Sequence, residues 1–96
     1  MIYRRIPREI EAFQYDGNVK DSNGKYYIPD WAIKPFEDGT MYFDNKERKP
    51  PCGVYIRTKE ELFLHAEIGD YIVLNEHGEI YPCKKTIFEM QYEAKP

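Results

Sequence analysis

The sequence predicts an α+β domain built on a small, mostly antiparallel sheet that is either open or partly rolled into a barrel. Short runs rich in Val, Ile, Tyr and Phe recur between turn residues, which indicates about six or seven short strands. The connections are of hairpin length, so neighbouring strands should pair antiparallel. Only two segments have helical character, and both are short enough to give one or two helical turns.

The composition fits one domain spanning residues 1–96. The net charge of −3 argues against broad, non-specific binding to nucleic acid, where phosphate neutralisation supplies the affinity. The N-terminal residues lack the apolar stretch of a signal peptide, and no run is long enough to span a bilayer. Because the chain has only two cysteines, we expect reduced thiols and a cytoplasmic location.

The first predicted strand covers residues 9–15, with apolar side chains on both faces, and Asp16-Gly17 ends it with turn chemistry. Residues 18–25 are polar and contain Asn23-Gly24, so they should form an exposed loop or a loose hairpin.

A short helix is predicted for residues 29–34. Pro35 cannot continue an ordinary helix without losing a hydrogen bond, so we expect one or two turns with Gly39 after them. Trp31 and Phe36 are the side chains that should dock this helix onto the sheet.

A strand over residues 40–44 and a charged loop over residues 45–51 lead into the strongest hairpin signal. Two alternating segments, 54–58 and 62–66, flank the turn Lys59-Glu60-Glu61. A three-residue turn pairs Ile56 with Leu64 and keeps the apolar side chains on one face, whereas a two-residue turn would mix the faces. Such a turn usually carries Gly at its left-handed position, and none is present. The other face of this hairpin then carries Tyr55, Arg57, Phe63 and His65.

The next strand, residues 71–74, is apolar on both faces and should be covered on both sides. Residues 75–78 form its turn, with Gly78 suited to positive φ. The returning strand, residues 79–81, should end at Pro82 or lie at a sheet edge, because proline donates no ladder hydrogen bond. Residues 84–89 are predicted as a helical turn that buries Ile87 and Phe88, and residues 90–93 as a last strand.

Four segments of the chain form a recognisable pattern, which consists of a basic Tyr-Arg-Arg-x-Pro opening, an Ile-Glu-Ala-Phe-Gln-Tyr strand, and a C-terminal block with a Gly-Asp-aromatic-Ile strand and a Tyr-Pro-Cys-Lys strand end. The residues of this pattern are 3–7, 10–15, 69–73 and 78–84, with Phe88 and Tyr92. In this pattern the chain resembles a family of small, largely uncharacterised bacteriophage and prophage proteins. The resemblance implies a phage-encoded accessory protein in the bacterial cytoplasm, and it implies no particular chemistry.

The residues suggest no catalytic machinery, metal site or cofactor, so we expect a protein that is not an enzyme. The soft metal ligands Cys52, His65, His77 and Cys83 form no local Cys-x-x-Cys or His-x-x-x-His pair. A Cys–His pair formed by folding stays open, because catalytic pairs are spatial rather than sequential.

The surplus of aromatic and basic residues on strands points instead to binding, since Tyr and Arg are enriched at interaction hot spots. The alternative is that the Tyr55 face packs under the short helix that carries Trp31. The candidate binding residues are Tyr55, Arg57, Phe63, His65, Tyr81 and Lys84.

Three functions are therefore weighed. The first is a non-catalytic phage accessory protein that binds a host or phage protein through a sheet face or edge. The second is an anti-defence protein that sequesters a small signalling nucleotide, which needs cations converging on phosphate. The third is a nucleic-acid-binding regulator, against which the net charge weighs. No membrane partner is expected, and the oligomeric state is left open. The cations that motivate the second function are Arg4, Arg5, Arg57, Lys84 and Lys85.

Overall fold

The computed structural model describes residues 1–3 and 10–93. Arg4, Arg5 and Glu9, the residue at which the first predicted strand begins, lie outside the described residues. The described elements, in chain order, are β1 (Glu11–Gln14), α1 (Asp30–Glu37), β2 (Met41–Phe43), β3 (Val54–Arg57), β4 (Phe63–Ala66), β5 (Tyr71–Leu74), β6 (Ile80–Cys83) and α2 (Lys85–Gln91).

The strands form two three-stranded antiparallel sheets, ordered β1-β5-β6 and β2-β3-β4. Cα atoms of the facing edges, β4 and β6, come within 8 Å of each other, but no ladder joins them. The predicted α+β class with antiparallel strands is confirmed. The roll is not closed, because β4 and β6 approach without pairing.

The core lies between the two sheets and is filled from both. Tyr15, which directly follows β1, is fully buried, and its hydroxyl donates a hydrogen bond to the carbonyl of Cys52 at 2.6 Å. That bond ties the end of β1 to the loop before β3. The other fully or nearly fully buried apolar residues of the core are Val19, Ala32, Met41, Val54, Ile56, Ala66 and Ile72.

The first helix is longer than predicted, since α1 continues through Pro35 to Glu37. Pro35 removes one helical donor, yet the following turn is kept because the Asp38 N–H donates to the Lys34 carbonyl at 2.9 Å. The helix docks by two aromatic contacts, as predicted. Trp31 packs on Phe13 with ring centroids 5.6 Å apart, and Phe36 packs on Phe43 at 4.9 Å.

The predicted β3–β4 register is confirmed, with Ile56 opposite Leu64 and Tyr55 opposite His65. Thr58 N–H donates to the Leu62 carbonyl at 2.9 Å, which closes a turn of three residues. Glu61 takes the left-handed position of this turn, with φ 61°. A side chain there is strained, because its Cβ crowds the backbone in that conformation.

We therefore expect Glu61→Gly to stabilise the protein by about 0.5–1 kcal/mol, because glycine adopts positive φ without strain. Urea denaturation of the two proteins measures this difference. Glu60→Gly, at a neighbouring turn position that is not left-handed, is the matched control and should destabilise or leave stability unchanged. A loss of stability in Glu61→Gly would contradict the assignment of strain to this residue.

Towards the C-terminus, β5 is the central strand of its sheet, and Ile72 and Val73 are fully buried, as predicted for a strand covered on both sides. The turn before β6 has Gly78 at φ 78°, and β6, which contains Pro82, lies at the sheet edge. Both features match the sequence expectation.

The prediction for the last residues is wrong in two respects. Residues 90–93 do not form a strand, because α2 runs to Gln91 and leaves Met90 86% exposed. Ile87 is also not buried, with 49% of its surface exposed, whereas its neighbour Phe88 is half-buried. The reason is helical geometry: adjacent residues point about 100° apart, so only one of the two faces the sheet.

Candidate functional site

The outward side of the β2-β3-β4 sheet carries a cluster of aromatic side chains. Strand alternation places it there, because the neighbours of these residues along each strand point into the core. We call this surface the aromatic face; its members are Tyr42, Tyr55, Arg57, Phe63 and His65.

The rings of the aromatic face touch across the strands. Tyr42 and Tyr55 have centroids 5.6 Å apart, and Tyr55 and His65 have centroids 4.9 Å apart. Phe63 meets the edge of Tyr42 at 6.5 Å. Such cross-strand aromatic pairs hold each other in place, so the face is a preformed surface on a rigid sheet.

The alternative that this face packs under the helix of Trp31 is wrong. That helix contacts β2 through Phe43, which alternates to the opposite side of the sheet from Tyr42. The aromatic face is left half-buried at Tyr42, Tyr55 and His65 and exposed at Arg57 and Phe63, where 57% of the phenylalanine surface is open to solvent. Four of the candidate binding residues are therefore brought together on one accessible surface.

Sequence reasoning missed two contributors to this face, Tyr42 and Arg48. Tyr42 was placed on a strand, but the pairing of that strand with β3 could not be predicted. The guanidinium of Arg48 lies over the Tyr42 ring, 4.6 Å from its centroid, and also donates from Nη1 to the Phe43 carbonyl. Arg48 thus caps one outward carbonyl of the edge strand β2 and orients the ring beside it.

One border of the aromatic face is fixed by a carboxylate. His65 Nε2 lies 2.6 Å from Asp44 Oδ2. The hydrogen bond from His65 lowers the pKa of Asp44 against the opposing effect of burial. The contact with Asp44 orients the His65 ring next to Tyr55.

Gly53 makes this arrangement possible. A Cβ atom at position 53 would lie 2.5 Å from Asp44 Oδ2, 2.8 Å from His65 Nε2 and 2.7 Å from the Ala66 carbonyl oxygen. Only glycine lets the loop before β3 pass this close to the carboxylate and imidazole.

Lys84 does not join the aromatic face. It lies at the start of α2, where Nζ contacts Asp70 Oδ2 at 3.1 Å and Glu67 at 3.8 Å. The hydrogen bond to Asp70 raises the pKa of Lys84, so its charge is held within the fold. Arg57 is the last residue of β3 and pairs with Phe63 at the start of β4, whereas Lys84 contacts Glu67 just after the end of β4, so these two predicted cations do not converge. Arg4 and Arg5 lie outside the described residues.

The residues of the C-terminal block contact one another. The rings of Tyr71 and Phe88 stack at 3.9 Å, Phe88 meets Tyr92 at 4.9 Å, and the Tyr71 hydroxyl donates to Glu89 at 3.1 Å. Asp70 joins the same network through Lys84 and the Lys85 N–H. The spacing of this block is therefore accounted for by contacts that dock α2 onto the β1-β5-β6 sheet.

The last candidate, Tyr81, lies on β6 and lines a groove of about 420 Å³ at the open end between the sheets. Arg57 lines the same groove, together with Leu62, Leu64 and Ile80. We call it the mouth groove. It adjoins the aromatic face at Arg57, which belongs to both surfaces, but its apolar wall lies on the other side of the sheet, since Leu64 is on the core side of β4 whereas Phe63 is on the outward side.

Within residues 1–3 and 10–93, no three His, Cys, Asp or Glu side chains are grouped so that they could hold a metal ion. In that same part of the chain, none of the helices has the length and apolar character needed to cross a membrane. Comparison of the chain with protein-family models, curated proteins and solved structures found no match.

Proposed function

We propose that this protein is a non-catalytic phage accessory protein that binds a host or phage protein through the aromatic face. The observation that carries the proposal is the aromatic face itself, four rings held against one another on an outward sheet surface with Phe63 57% exposed. Aromatic rings and arginine supply most of the energy at protein interfaces. A rigid sheet loses little conformational entropy on binding, so contacts made there convert efficiently into affinity.

The charges around the face indicate the chemistry of the partner. Asp44 is engaged by His65, and Arg48 is engaged by the Phe43 carbonyl and the Tyr42 ring. Arg57 forms no ion pair with any described residue. The partner surface is therefore expected to be apolar at its centre and to carry a carboxylate at the rim that meets Arg57.

The same charges favour a protein over a single-stranded nucleic acid. Bases would meet no steric obstacle to stacking on Tyr55 and Phe63, but a nucleic-acid groove also needs several cations along the phosphate backbone. Among the described residues of this face, Arg57 alone is left for that purpose, and the chain as a whole carries a net charge of −3.

Photo-crosslinking in bacterial cells tests this function. Replacing Phe63 with the photo-reactive amino acid p-benzoylphenylalanine puts the reactive ketone at the exposed edge of the face. Because a partner would cover that edge, we expect one discrete crosslinked species that mass spectrometry identifies as a single protein.

The matched control is the same replacement at Ile87, whose exposure of 49% is close to that of Phe63 but which lies on α2. The control should not give the species obtained from position 63. No product from position 63, or the same product from both positions, would refute binding through the aromatic face.

A further inference from the structure

The mouth groove has an apolar wall that the fold leaves uncovered. Leu62 and Leu64 belong to the core-facing side of the β3–β4 hairpin, yet they are 59% and 36% exposed. Ile80 faces them from β6, the strand whose Cα atoms approach β4 without pairing. Core-side leucines that stay in contact with water cost free energy, and an apolar ligand would remove that cost.

Three neutral polar side chains of the groove already have partners inside the chain. Thr58 Oγ1 accepts from the Leu62 N–H at 3.2 Å, and Thr40 Oγ1 donates to Asp38 at 2.6 Å. Asn75 is hydrogen-bonded to both the backbone and the side chain of Glu79. These groups therefore do not require hydrogen bonds from a ligand.

The charged side chains differ in this respect. Arg57 and Lys59 line the groove and form no ion pair with a described residue, whereas Glu79 is held by Asn75. Asp38 already accepts hydrogen bonds from Thr40, and these lower its pKa. Arg57 lowers it slightly further. A hydrogen bond from a neutral side chain does not cancel a charge, so the groove residues carry two cations, Arg57 and Lys59, against two carboxylates, Glu60 and Glu79. Arg57 is the group that would attract a carboxylate, because its guanidinium has no ion-pair partner among the described residues.

We propose that the mouth groove binds a small organic anion, an apolar ring or chain that carries a single carboxylate. The apolar part would lie against Leu62, Leu64 and Ile80, and the carboxylate would meet the guanidinium of Arg57, which binds carboxylates with two parallel hydrogen bonds. The groove volume of about 420 Å³ lies within the range of known small-molecule sites.

The test is a titration of the ¹⁵N-labelled protein, followed by NMR, with 4-phenylbutyrate and with its neutral analogue 4-phenylbutanol. We expect saturable shifts centred on the amides of Leu62, Leu64, Gly78 and Ile80. The carboxylate should bind at least about fivefold more tightly than the alcohol, because only the carboxylate pairs with Arg57.

Variants separate the apolar from the ionic contribution. Arg57→Gln should bring the affinity for the carboxylate down to that for the alcohol, and Leu64→Ser should weaken both ligands about fivefold or more. Ile87→Ala, on helix α2, no residue of which lines the groove, should change neither affinity.

Equal binding of acid and alcohol to the unmodified protein, shifts centred away from the groove, or no saturation up to about 10 mM would overturn the proposal. The proposal does not rest on the function of the aromatic face. The titration contains no protein partner, so its failure leaves the crosslinking result from position 63 unaffected, and the reverse also holds.

Discussion

Replacing Asp70 with alanine should lower the free energy of unfolding by about 2–4 kcal/mol, measured by urea denaturation. The carboxylate is buried and accepts hydrogen bonds from the Glu67 N–H at 2.9 Å, from Lys84 Nζ at 3.1 Å and from the Lys85 N–H at 3.3 Å. Its removal leaves two backbone donors without their acceptor and releases the start of α2 from the β5 sheet.

The matched control is Glu89→Gln, which removes a carboxylate that is hydrogen-bonded to Tyr71 but lies on the exposed side of α2. It should cost about 0.5 kcal/mol or less, since exposed pairs contribute little. A cost for Asp70→Ala as small as that of the control would contradict the role assigned to Asp70.

The same carboxylate should make stability depend on acid pH. Burial opposes ionisation of Asp70, but the hydrogen bonds from Glu67, Lys84 and Lys85 outweigh it and lower its pKa. A lowered folded-state pKa gives stability that is fully present above the unfolded value of about 3.9 and is lost as the pH falls through the folded value. We expect the unmodified protein to lose stability more steeply than Asp70→Asn below about pH 4. Parallel profiles for the two proteins would contradict this assignment.

Gly53→Ala is the second change with a large expected effect, a loss of about 3 kcal/mol in unfolding free energy. The added Cβ would lie 2.5 Å from the Asp44 carboxylate and 2.7 Å from the Ala66 carbonyl, distances that real Cβ contacts do not show. The loop must move away, which separates Asp44 from His65 and disturbs the ring packing next to Tyr55.

Gly24→Ala controls for the general cost of replacing a loop glycine. Gly24 has φ 77°, and nothing lies within 4 Å of the position of its Cβ, so its replacement carries only the backbone strain of about 1 kcal/mol. If Gly53→Ala were no more destabilising than Gly24→Ala, the close packing of the loop against Asp44 and His65 would be wrong.

The alternation of the sequence was sufficient to predict the register of the central hairpin. A slip of one residue would have put Ile56 and Leu64 on opposite faces of the hairpin, so the apolar pattern itself excludes that register. The grouping of Tyr55, Arg57, Phe63 and His65 followed from the same pattern, since residues of one face share one parity along each strand.

The contacts that complete the aromatic face could not be predicted, because they depend on how loop residues fold back onto the sheet. Asp44 meets His65 across 21 residues of chain, and Arg48 folds back over Tyr42 from a loop in which it takes φ 55°. Local sequence propensities do not specify such contacts between loop and sheet. Gly53 could have indicated a close contact of the loop before β3, since a glycine at the start of a strand often marks a close approach of the backbone to other atoms.

The sequence of α2 contained a helical spacing that the predicted strand over residues 90–93 did not take into account. Phe88 and Tyr92 are four residues apart, the spacing that puts two side chains on one face of a helix, and they do pack together at 4.9 Å. Reading residues 90–93 as alternating gave a strand instead. For segments of seven residues or so, the two periods are poorly separated, and the stacking of Phe88 on Tyr71 decides for the helix.

The most direct measurement of the central claim is the affinity of the crosslinked partner, once purified, for two double variants by isothermal titration calorimetry. Tyr55→Ala with Phe63→Ala removes two rings from the aromatic face, and Ile87→Ala with Met90→Ala removes comparable exposed apolar surface from α2. We predict that the first double variant binds at least about 100-fold more weakly, which corresponds to two hot-spot side chains, and that the second binds like the unmodified protein. Equal weakening in both variants, or full affinity in the first, would contradict binding through the aromatic face.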